Sequence, residues 1–216
     1  MAFETILPGL IAFGFGIYFL LLYVGERDDE FNHNKMLIFM AVGMIVGTFF
    51  LILEMPFSGS WILLAFVALL EEMTKFIILN RKKYQGEIST IWYGASMGFI
   101  MGAIISAEMM YLSPPGNAPG EKAYWVISFT AIAFSYTLMH GATGALIGYG
   151  SATNSGMKFL WKAFFIHFLL ALIPFVPIPK EYTLLLMAAY SGFNYLRVRD
   201  IIYSDRERFK IERISG

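Results

Sequence analysis

No cysteine occurs in the 216-residue chain, which excludes disulfides, thiolate nucleophiles and cysteine-ligated metals together. Charge is sparse as well. Asp, Glu, Lys and Arg make up 15% of the residues, against about 25% in an ordinary soluble domain. Long polar stretches are missing: the longest connections between apolar runs are 25–35, 81–90, 113–122 and the C-terminal segment. No soluble domain fits into them, so the chemistry has to take place inside the apolar part. The basic start of a secretory signal is also absent. Met1-Ala2-Phe3-Glu4 leads directly into an apolar run longer than a signal core, which reads as a retained helix.

What the chain has in abundance is apolar surface, 57% of its residues, and lipid is the solvent that suits it. A helix needs about 20 apolar residues to cross a hydrocarbon core of about 30 Å. Seven runs approach this length, at 3–24, 36–53, 61–79, 91–112, 123–150, 159–176 and 182–196. The seventh is the shortest, because it gives way to Arg197, Arg199 and Asp200. The expected fold is all-α, a polytopic bundle in the cell membrane, with one domain over 1–200 and a basic tail over 201–216. Loops rich in Lys and Arg stay on the cytoplasmic side. With the N-terminus outside, thirteen of these residues fall inside and only Lys122 and Lys180 outside, so the C-terminus is expected inside. The segment 113–120 holds Pro114, Pro115, Gly116, Pro119 and Gly120 and is expected as an outer turn-rich loop. A basic tail beside a bilayer is an anchor to anionic lipid, and no nucleic-acid partner is implied.

Six ionisable residues lie within the expected spans: Glu71, Glu72 and Lys75 in the third, Glu108 in the fourth, His140 in the fifth and His167 in the sixth. Each costs several kcal/mol unless it faces protein, water or a partner, which makes each a functional candidate. Helical spacing puts Lys75 within reach of Glu71 at i+4 and of Glu72 at i+3. Adjacent glutamates point about 100° apart, so one can pair with Lys75 while the other faces a cavity. Gly94, Gly98, Gly102 and Ser106 repeat every four residues along the fourth span, a row that permits close helix contact. Counting depth along the spans puts Glu108 nearer the outer face than the other five.

Carboxylates and imidazoles in a closed space can activate water as base and acid, ligate a metal, or relay protons. The order of motifs resembles the PrsW family of intramembrane proteases, related to the CAAX prenyl endoprotease group, over spans three to six. Glu71-Glu72-Met73-Thr74-Lys75 matches that family's Glu-Glu-x-x-Lys motif. Glu108 with Tyr111, His140 with Thr143, and His167 resemble its later motifs. Three positions depart from the pattern: Ile104, Met109 and, four residues after the last histidine, Ala171 where Asn or Asp often stands. Tyr111, Thr143, Asn194 or backbone amides are the substitutes for the carbonyl-polarising donor that Ala171 lacks.

The resemblance implies an endopeptidase that cuts a membrane-anchored protein, with Glu71, Glu72, Lys75, Glu108, His140 and His167 forming the site. In this scheme Glu72, assisted by Glu71, is the general base for water, and no cofactor is required. The metalloprotease alternative has zinc held by His140, His167 and Glu72 or Glu108, although two histidines on one helix, the common zinc-protease spacing, are missing. A proton- or ion-coupled transporter would use the same buried groups but would often show internal repeats. A b-type haem protein would use His140 and His167 as axial ligands and leave the glutamates without a task.

Overall fold

The computed structural model describes residues 2–25, 31–54, 60–112 and 120–215, with side chains described for 9–25, 31–54, 60–112 and 120–204. Most of the expected outer loop at 113–120 and the side chains of the tail lie outside these limits. Among the described residues the chain is all-helical: α1 (Ala2–Val24), α2 (His33–Glu54), α3 (Trp61–Leu79), α4 (Ser89–Leu112), α5 (Glu121–Ala152), α6 (Gly156–Leu172), a short 3₁₀ turn (Ile173–Phe175) and α7 (Lys180–Ser215). The seven expected runs correspond one to one with the seven helices. The largest boundary difference is at α7, which continues as one helix through most of the expected tail. The charged residues there are good helix formers and carry no Pro or Gly to stop it before Gly216.

Among the described residues three helical segments are long and apolar enough to cross a membrane, His33–Glu54, Ser89–Leu112 and Gly156–Phe175, and Gly9–Val24 is a shorter apolar helix. Helix α3 is set apart from them by three charged residues, Glu71, Glu72 and Lys75, in its second half. Large apolar side chains on the outer helices face away from the protein, among them Ile45, Phe49, Phe66, Phe165 and Phe193. Polar groups are found inside instead: Glu71, Glu72, Lys75, His140 and His167 are all buried.

Helices α4 and α5 form the centre, with every residue of 90–106 and of 137–152 buried. The glycine row is what lets them touch. A Cβ at Gly98 would collide with the carbonyl of His140, and one at Gly94 with the carbonyl of Gly144. At Gly102 it would lie 2.5 Å from the Tyr136 carbonyl oxygen. These contacts are one turn apart along both helices, so the seam fixes where on α5 His140 and Tyr136 stand. A second close approach brings α6 onto α3: a Cβ at Gly156 would meet Phe76 at 2.7 Å. This places His167, three turns further along α6, beside the second half of α3.

Candidate functional site

Glu71, Glu72 and Lys75 on α3, His140 and Thr143 on α5, and His167 on α6 meet at one point inside the bundle. Lys75 Nζ lies 2.7 Å from Glu72 Oε1, 2.8 Å from Thr143 Oγ1 and 3.0 Å from His140 Nδ1. An ammonium has three protons and no lone pair, so all three neighbours accept. His140 therefore carries its proton on Nε2. Thr143 Oγ1, accepting from Lys75, has its own proton free for Glu72 Oε1 at 3.2 Å or the His140 carbonyl at 3.3 Å.

His167 Nδ1 lies 2.9 Å from the same Glu72 oxygen. The carboxylate already accepts from Lys75, so Nδ1 donates and the lone pair of His167 is left on Nε2. A carboxylate that receives Nδ1–H fixes both the tautomer and the orientation of an imidazole. Tyr190 on α7 steadies the same turn of α6, donating its hydroxyl to the Ile166 carbonyl at 3.1 Å. The two imidazoles meet edge to face, with ring centroids 4.8 Å apart.

Of the two glutamates, Lys75 takes Glu72, which the sequence left open. Glu71 has neither carboxylate oxygen hydrogen-bonded among the described residues. Its Oε2 stands 3.5 Å from His167 Nδ1 and 3.8 Å from His140 Nδ1, too long for a hydrogen bond. Glu72 Oε2 and His140 Nε2 are also buried without partners among the described residues. Buried polar atoms without partners are uncommon in folded proteins and mark a place where a ligand, water or reaction is accommodated.

Glu108 is not brought into this group. It accepts a 2.8 Å hydrogen bond from Thr48 on α2, because α2 packs along α4 and offers a hydroxyl at that level. Of the three substitutes for the missing Asn or Asp, Tyr111 is 70% exposed, Thr143 lies in the group but is engaged by Lys75, and Asn194 donates to the Tyr190 carbonyl at 2.9 Å.

A cavity of about 530 Å³ adjoins the buried group, lined in its apolar part by residues such as Leu51, Leu64, Met109 and Phe175. Among the described residues its polar lining is Glu54, Tyr136 and His167. His167 is the one member of the buried group on the cavity wall. Ala171, one turn further along α6, lines it too, so the small side chain opens space in front of the imidazole. The sequence pattern singled out neither Glu54, which ends α2 just beyond an apolar run, nor Tyr136. A carboxyl group at the limit of a span carries no signal of its own in the sequence.

The ligating atoms of Glu71, Glu72, His140 and His167 lie within 4.8 Å of one another, close enough to hold a metal ion. Lys75 already directs two of its protons at Glu72 Oε1 and His140 Nδ1, which leaves Glu72 Oε2, His140 Nε2 and the Glu71 oxygens as buried donor atoms without partners among the described residues. A divalent cation among them would stand close to the Lys75 ammonium, a repulsion that low dielectric magnifies and that disfavours a metal while Lys75 is charged.

No family model, no curated protein and no solved structure matches the chain. The functional argument therefore rests on the chemistry of the buried group and its cavity.

Proposed function

We propose that this protein is an intramembrane endopeptidase that hydrolyses a peptide bond in a membrane-anchored protein, as the resemblance to the PrsW family implies. The observation that carries the reading is an imidazole held by a carboxylate, His167 Nδ1 to Glu72 at 2.9 Å, on the wall of a cavity of about 530 Å³. His167 Nε2 takes a proton from a water in the cavity, and the hydroxide attacks the substrate carbonyl. Tyr136, on the same wall, stabilises the oxyanion. The proton on His167 then passes to the leaving amine, and the carboxylic acid and amine products separate.

Each neighbour has a task in this scheme. Glu72 holds the tautomer of His167 and stabilises the imidazolium that forms, and Lys75 and Thr143 hold Glu72. The base is thus moved from Glu72, the choice made from sequence, to His167, because Glu72 is surrounded by donors. Glu108 has no part in it.

The bilayer is the proposed setting, with seven spans, the N-terminus outside and the basic C-terminus inside. The apolar outer faces and the thirteen-to-two distribution of Lys and Arg support this orientation. Reporter fusions after residue 216 are expected to be cytoplasmic; an external reporter overturns the orientation.

Purified protein in liposomes is expected to cut a co-reconstituted single-span protein at one defined bond, read by mass spectrometry of the fragments. Activity is expected to survive dialysis against a chelator. Loss of cleavage restored specifically by zinc would overturn the metal-free mechanism, and an intact substrate across a panel of single-span proteins would overturn the protease.

A further inference from the structure

Glu54 has no place in the hydrolytic scheme, yet it stands on the same cavity wall as His167. Among the described residues its carboxyl group has no hydrogen bond and no ion pair. Three carboxyl groups lie at this end of the buried group, those of Glu54, Glu71 and Glu72, and Glu54 is within electrostatic reach of both Glu71 and Tyr136. Among the described residues Lys75 is the ammonium that reaches this group, and its three protons are committed to Glu72, Thr143 and His140. It cannot also serve Glu54.

The remaining lining is apolar and comes from one end of the bundle: Leu51 from the last turn of α2, Leu64 and Ala68 from the first two turns of α3, Leu112 from the end of α4, and Phe175 after α6. The volume falls within the range of about 300–1,000 Å³ typical of ligand pockets. An apolar pocket with a carboxyl group of its own and a surplus of acidic groups behind it is complementary to a cation carried on an apolar segment. In so low a dielectric, a charge-assisted hydrogen bond is stronger than at a surface.

We infer that the cavity is a specificity pocket in which Glu54 binds the lysine or arginine side chain of an otherwise apolar substrate segment, next to the bond presented to His167. This rests on the protease reading for the word substrate, but the binding itself does not. An apolar residue fits the rest of the lining equally well, so the discrimination lies in Glu54.

The test uses the full chain in nanodiscs of phosphatidylcholine, which offers neither anionic lipid nor primary-amine headgroups to compete. Two fluorescent capped pentapeptides serve as probes, Leu-Leu-Lys-Leu-Leu and the same peptide with norleucine at the centre, and anisotropy reads binding without turnover. The lysine peptide is expected to bind about tenfold more tightly, the low end for a charge-assisted bond. Within Glu54→Gln the ratio is expected to fall below about twofold, and within Glu54→Asp, which keeps the charge, to persist. Each ratio compares two peptides on one variant, so a partly unfolded fraction does not change it. Equal binding by the unaltered protein, no binding of either peptide, or an unchanged ratio in Glu54→Gln would overturn the pocket. A lysine preference without cleavage of either peptide would keep the pocket and count against the protease.

Discussion

Replacing His167 by Asn is expected to lower kcat about 10³-fold or more while the protein stays folded. The asymmetry follows from where the groups stand. Asn removes the Nε2 lone pair facing the cavity but leaves Glu72 its bonds from Lys75 and Thr143, so no buried charge loses its last partner. Glu71→Gln should act more weakly, about 10-fold to 100-fold on kcat, since that carboxyl group stands 3.5 Å from His167 Nδ1 and is not on the cavity wall. Tyr136→Phe should lower kcat by about 10²-fold, the usual loss for one oxyanion donor. Single-turnover cleavage in liposomes measures all three, with thermal unfolding as the control. Full activity in His167→Asn would remove the imidazole from its role, and a larger loss in Glu71→Gln would return the base to a glutamate.

The fold was legible in outline because apolar runs have to be about as long as the layer they cross, and each of the seven runs became a helix. Its centre was legible from the spacing of Gly94, Gly98 and Gly102, since only small residues allow a carbonyl such as that of His140 to come so close. The unusual placement of Glu71, Glu72, Lys75, His140 and His167 was equally plain, because charge in an apolar run is conspicuous. What stayed hidden was pairing. Lys75 reaches Glu71 and Glu72 about equally along the helix, and the choice is made by Thr143 and His167, which arrive from two other helices. Glu108 belonged to the same pattern in sequence, but Thr48 on α2 claims it. Glu54 and Tyr136 were missed for the opposite reason: each is an ordinary residue for its position, and only the cavity gives it meaning.

The largest stability effects are expected at the Lys75–Glu72 pair. Both side chains are fully buried and 2.7 Å apart. Breaking such a pair from one side strands the other charge and costs about 3–5 kcal/mol, whereas replacing both sides by apolar residues of similar volume is often nearly neutral. Lys75→Met leaves Glu72 with two neutral donors, and Glu72→Met leaves Lys75 with Thr143 and His140 alone. Each single variant should therefore be strongly destabilised, and the double variant should be more stable than either, with a coupling of about 2–3 kcal/mol. Reversible unfolding in mixed micelles measures the cycle. Additive losses would mean that the pair does not act as a unit and that the proton assignments built on it fail. The double variant carries the further consequence: if it folds well and cuts nothing, the buried charges serve the orientation of His167 and not the stability of the bundle, which an apolar seam at those positions would supply without them.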